Sequence, residues 1–150
     1  MFITASGKRQ LETDLRDLQT ELDRTVSERS LAAAEGDLKE NSAYIFLTER
    51  ATVLSTQISQ FKDHLKQVKI KSAPTQIKKI EFGHTIHVKF ITDKREMTIT
   101  LVGEHDAQTK PDWISVNSPL GIALLGQSLG HQIEVNGQPV SILNISIGEI

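Results

Sequence analysis

Residues 44–68 read YIFLTERATVLSTQISQFKDHLKQV. In this stretch Tyr44, Leu47, Ala51, Leu54, Ile58, Phe61, Leu65 and Val68 alternate at spacings of three and four without a break. An apolar seam held for more than three heptads predicts a long helix that packs against another helix. The partner lies upstream. Leu11, Leu15, Leu18 and Leu22 keep the same spacing, and Thr25, Arg29 and Ala32 continue it more weakly. The two seams mirror each other about residue 38: Leu11 falls opposite Leu65, Leu18 opposite Ile58, Leu22 opposite Leu54 and Ala32 opposite Tyr44. An antiparallel helical hairpin with its apex at Leu38 follows. Composition agrees, because no proline precedes Pro74 and only Gly7 and Gly36 interrupt a run of good helix formers. Ser6 marks a plausible helix start. Each arm would be roughly 40 Å long at the rise of an α-helix.

Past residue 69 the pattern changes. KIKSAPTQIKK is a basic, proline-containing linker without a seam. HTIHVKFI and EMTITLVG alternate apolar and polar residues and predict two strands joined by a turn at TDKR. In QIEVNGQPVSILNISI an Asn-Gly pair separates two apolar runs, which predicts a β-hairpin. SPLGIALLGQSLG predicts a short helix with Ser118 as its cap and Pro119 at the first helical position. Trp113 reads as a packing residue at a strand entrance. The fold class is α+β, with a hairpin over residues 1–72 and a small α+β domain over 73–150.

Composition sets limits. The chain has no cysteine, which removes disulfide and thiolate chemistry and fits a cytoplasmic location. The N-terminus lacks the pattern of a secretory signal, and no apolar run approaches the length that spans a bilayer. Net charge is −2, with 11 basic and 11 acidic residues up to position 72. That balance does not point to the basic patch a self-sufficient nucleic-acid binder usually carries, although DNA binding stays among the expectations. Any such contact is local or made with a partner's help.

The segment EGDLKENSAY, residues 35–44, occupies the apex. Asp37 and Glu40 are three apart, so both carboxylates can reach one point, and two oxygen ligands on a tip suit Mg²⁺. The same spacing also describes a capping box opening the second helix, with Gly36 ending the first. Asn41 or Ser42 is an alternative cap. On spacing alone the structural reading is the simpler one, although a plain turn needs no such long arms. Lys39 and Arg50 flank the tip and could touch phosphate, or could simply be solvated helix faces. His84 and His87 would point to opposite faces of a strand and read as residues near the surface. His64, His105 and His131 have no evident partners. No phosphate-binding glycine loop, nucleophile elbow or zinc signature is present.

GDLKENSAY resembles the tip signature of the bacterial Gre transcript-cleavage factors, and ISVNSPLGIALLGQSLGHQIEV resembles their second signature. The resemblance runs nearly the length of the chain and is closer to GreA than to GreB. It implies an N-terminal antiparallel coiled coil and a C-terminal domain similar to the FK506-binding fold. It further implies a monomer that docks on bacterial RNA polymerase and passes its hairpin through the secondary channel. There it would stimulate the polymerase's own Mg²⁺-dependent cleavage of a backtracked RNA 3′ end, without being an enzyme alone. By this resemblance the tip acids are Asp37 and Glu40, sharing Mg²⁺ only with the polymerase, and Asn41 and Tyr44 support them. The docking loop falls on Asn117, Ser118 and Pro119. The chain departs from the family where Ala33 replaces a frequent Arg, Ala43 a frequent Glu, and Gly121-Ile122 the usual Ala-Arg. After Tyr44 it reads IFLTER in place of an alanine-rich polar run. These changes keep open a secondary-channel regulator that does not cleave. A prolyl isomerase is a third class, against which the scarcity of aromatics counts.

Overall fold

The computed structural model describes residues 1–150 and divides into two units, Arg9–Gln67 and a second formed by Met1–Lys8 with Val68–Ile150. The first unit is the hairpin. It contains most of α1 (Ala5–Ala33) and all of α2 (Ser42–Gln67). The turn between them, residues 34–41, is centred on the expected apex. The helices run antiparallel: Glu21 meets Arg50, and Ala32 meets Asn41. Every seam residue from Leu15 to Leu65 is buried or half-buried, with Leu54 and Thr25 the most enclosed. Thr25 sits in the seam because its hydroxyl donates to the Glu21 carbonyl at 2.8 Å, leaving the methyl for packing. Val68, read as the last seam residue, lies just beyond the end of α2.

The second unit is built on a five-stranded sheet. Its strands are β3 (His84–Phe90), β4 (Glu96–Val102), β5 (Trp113–Ser115), β6 (Gln132–Val135) and β7 (Gln138–Ile147), in the order β5-β4-β3-β7-β6. All neighbours are antiparallel except β4 and β5. Burial alternates along β3, and Ile86, Val88, Ile99, Leu101 and Ile142 form one face of the core. Helix α3 (Pro119–Leu124) covers that face through Leu124. Between β6 and β7, Asn136 and Gly137 take φ of 51° and 76°, the paired positive values of a type I′ turn. The Asn-Gly hairpin and the Ser118-Pro119 helix start therefore form as the sequence predicts.

One expectation is corrected. His84 does face away from His87, but it faces inward and is fully buried, its Nδ1 accepting from the Glu81 amide at 3.0 Å. The N-terminal residues pair with the segment that follows the hairpin. Two short strands, β1 (Phe2–Ile3) and β2 (Lys69–Ile70), pair in parallel, with the Lys69 amide bonded to Met1 O and the Lys71 amide to Ile3 O. Thr4 is then held by the buried Asp106 carboxylate through two hydrogen bonds.

Candidate functional site at the hairpin turn

The turn begins where α1 runs out of carbonyl partners. The Ala34 amide is shared between the carbonyls of Ser30 and Leu31, and Glu35 N donates to Ala32 O, tightening the last turn of the helix. Gly36 then takes a φ of 135°, a backbone region that side chains rarely enter. Asp37 follows. One of its oxygens accepts from the Lys39 amide at 2.9 Å, a local ring that fixes the carboxylate and holds the chain in a turn. Residues 35 to 40 are all exposed, so Asp37 and Glu40 present their remaining oxygens to solvent.

The capping-box reading of Asp37 and Glu40 is not what forms. Asn41 caps α2, its Oδ1 accepting from Tyr44 N at 3.1 Å. Its Nδ2 also donates to the Ala32 carbonyl at 2.7 Å, an acceptor near the end of α1. One side chain thus closes both helix ends, and neither acid is needed as the cap. Tyr44 is half-buried at a seam position. Lys39 is exposed on the turn, whereas Arg50 reaches across the hairpin to the Glu21 carboxylate. The pairing occupies the guanidinium that the sequence left available for phosphate.

The donor set at the turn is two carboxylates of hard oxygen ligands, and nowhere does the chain gather three or more His, Asp or Glu side chains fit to hold a metal. Two such donors fit a Mg²⁺ that keeps several waters and takes its other ligands from elsewhere.

In the second unit, Ser118 accepts from Gly121 N at 3.0 Å and donates to the Ser115 carbonyl at 2.7 Å. The Asn117 amide donates to Ser115 Oγ at 3.1 Å. This network leaves Asn117 and Pro119 exposed at the start of α3. Gly121 is buried against the same anchor, where a Cβ would run into the Ser115 carbonyl. Beside this loop a cleft of about 470 Å³ is lined by Phe2, Lys71, Phe82, Val116 and Leu125 among others. The Lys71 ammonium stands 4.6 Å above the Phe2 ring. Sequence reasoning missed this cleft because its walls come from segments far apart in the chain, around Phe2, Lys71, residues 79–82, Val116 and Leu125.

Comparison with known proteins gives a consistent result. Residues 1–70 match the family described as transcription elongation factor, N-terminal, and residues 74–148 match transcription elongation factor, GreA/GreB, C-term. The chain is 31% identical over 137 residues to the transcription elongation factor GreA of Caulobacter vibrioides, covering 89% of this chain and 87% of that one. It is 35% identical over 133 residues to the GreA of Novosphingobium aromaticivorans, covering 87% and 83%. Among solved structures, GreA factor homolog 1 (Gfh1) of Thermus thermophilus aligns with a TM-score of 0.45 at 17% identity, over 97% of this chain and 98% of that one.

Proposed function

Because the chain belongs to the GreA/GreB family of transcription elongation factors, we propose that it acts on bacterial RNA polymerase as a monomer in the cytoplasm. The second unit docks through Asn117, Ser118 and Pro119. The hairpin enters the secondary channel and brings Asp37 and Glu40 to the active centre. There the polymerase's own cleavage of a backtracked RNA 3′ end is stimulated.

The observation that carries this reading is the freedom of the two acids. Asn41 does the capping, so Glu40 and the second oxygen of Asp37 stand exposed without a partner in the fold. Asp37 and Glu40 would share a Mg²⁺ with the polymerase. When bound, that cation supplies positive charge to acidify a water and to neutralise the transferring phosphoryl group. The Asp37 carboxylate arrives pre-oriented by the Lys39 amide, which spares ordering cost on binding. Glu40, without a fixed partner, is free to orient the attacking water and take up its proton. Each helix is long enough for delivery: the 26 residues of α2 span roughly 39 Å.

The test is RNA cleavage in a purified backtracked complex of the cognate polymerase with Mg²⁺. Wild type is expected to accelerate cleavage, and the Asp37→Asn/Glu40→Gln double variant to bind but not accelerate. Loss of polymerase binding in that variant would sink the assignment of the tip. A second reading, a channel regulator that does not cleave, is favoured by one feature. Lys39 is the only basic residue in the turn, and Arg50 is committed to Glu21. Binding without stimulation by wild type would establish that alternative.

A further inference from the structure

The outer surface of the hairpin is not uniform. Over residues 9–30 and 54–67 no large apolar side chain is exposed, whereas Leu31, Leu38, Ile45, Phe46 and Val53 are. Phe46 is 64% exposed, far beyond what the seam requires. Phe46, Glu49 and Val53 follow at spacings of three and four, so they share one strip of α2. The strip lies on the side of the helix away from Leu47, Ala51 and Leu54, and all three of its residues are exposed. Ile45 borders it.

The charge around this strip restricts what can cover it. The turn holds Glu35, Asp37 and Glu40 against a single Lys39, and Glu49 sits in the middle of the strip. Arg50 is neutralised by Glu21. A second copy placed strip to strip about a two-fold axis would bring Glu49 against its own equivalent. RNA would bring phosphates against the same carboxylates. A protein surface with apolar side chains and a Lys or Arg placed for Glu49 meets neither objection. We infer that the Phe46–Glu49–Val53 strip is a contact surface for such a basic, apolar protein wall, and that it grips protein and not RNA. This rests on the channel reading above and identifies the wall as that of the polymerase channel.

The experiment measures affinity of wild type, Phe46→Ser/Val53→Ser and Glu49→Lys for cognate core polymerase free of nucleic acid, and for the backtracked complex. The double variant is expected to bind about tenfold more weakly in both settings. Glu49→Lys is expected to weaken both, with thermal unfolding unchanged for either variant. If wild type binds and Asp37→Asn still abolishes cleavage, but these variants bind normally, the strip is inert and the inference fails while the channel reading stands. Tighter binding of Glu49→Lys to the backtracked complex alone would make the strip an RNA contact and overturn the inference. A wild-type dimer in sedimentation that the double variant dissolves would overturn it in favour of a second copy. If wild type binds no polymerase, the channel reading and this inference fall together.

Discussion

Thr4 and Asp106, separated by 102 positions in the chain, are joined by two hydrogen bonds in a site closed to solvent. The Thr4 amide donates to one carboxylate oxygen at 2.8 Å and the Thr4 hydroxyl to the other at 2.9 Å. The same hydroxyl accepts from Gly7 N at 3.0 Å, so Thr4 is also the cap of α1. Asp106→Ala would strand the buried Thr4 amide and take the carboxylate acceptor from the Thr4 hydroxyl, leaving it Ser6 Oγ at 3.0 Å. A loss of about 3 kcal/mol is expected, measured by urea unfolding. Amide exchange should accelerate first over residues 2–7. Unchanged protection there would show that the pair does not hold the N-terminal segment.

Asn41 closes both helices at the turn. Asn41→Ala should cost about 1–2 kcal/mol and fray the first turn of α2, read by exchange at Tyr44 and Ile45. Asp37→Asn and Glu40→Gln, exposed and not capping, should change stability by no more than about 0.5 kcal/mol. A large stability change in the acid variants would return them to the structural role.

Gly121 lies where α3 meets the Ser115 carbonyl, the acceptor that fixes Ser118. Gly121→Ala should push these backbones apart, at a cost of about 1–3 kcal/mol. It should also weaken polymerase binding through the displaced Asn117–Pro119 loop. Cleavage at saturating factor should be unaffected, because the tip is untouched.

Burial pushes the His84 imidazole below its ordinary pKa, against the opposing pull of the Glu81 charge and the Lys79 and Pro74 carbonyls. The folded state therefore holds the neutral ring, while the unfolded chain gains a proton near pH 6.5. Stability is greatest above that pH and falls as the pH drops from there toward the lowered folded value. Protonation of Nδ1 would also remove the acceptor used by the Glu81 amide. Urea unfolding at about pH 7.5 and pH 5.5 should show this loss, and His84→Gln should flatten it. An equal slope in the variant would assign the effect to other groups.

The sequence discloses whatever repeats with a period or carries local chemistry. The seam from Leu11 to Leu65 reveals the hairpin because a 3,4 alternation has one geometric meaning. Asn136-Gly137 and Ser118-Pro119 reveal a turn and a helix start because few residues tolerate those backbones. What stays hidden is non-local. Phe2–Ile3 and Lys69–Ile70 are too short to have a period, and nothing in HDAQTK marks Asp106 as an anchor for Thr4. The inward side of β3 is fixed by residues distant in the chain, so alternation separates His84 from His87 without telling which is buried. At the tip, Asp37-x-x-Glu40 satisfies the spacing of a cap. Asn41 wins because it serves two helices at once, a role invisible to a rule written for one. The exposed Phe46 was visible as an unusual IFLTER, and only its solvent exposure gives that oddity a meaning.

The pairing of β1 with β2 gives the hairpin the standing of an exchangeable cassette. Phe2 aligns with Lys69 and Ile3 with Ile70, so the chain leaves the second unit and re-enters it at neighbouring points. Everything from residue 9 to 67 is, in topological terms, a single excursion between two stapled strands. An arm of different reach, lengthened or shortened by whole heptads in both helices, could be grafted between the same two points without redrawing the sheet. Selection could thus tune what the tip delivers while leaving the part that holds on undisturbed.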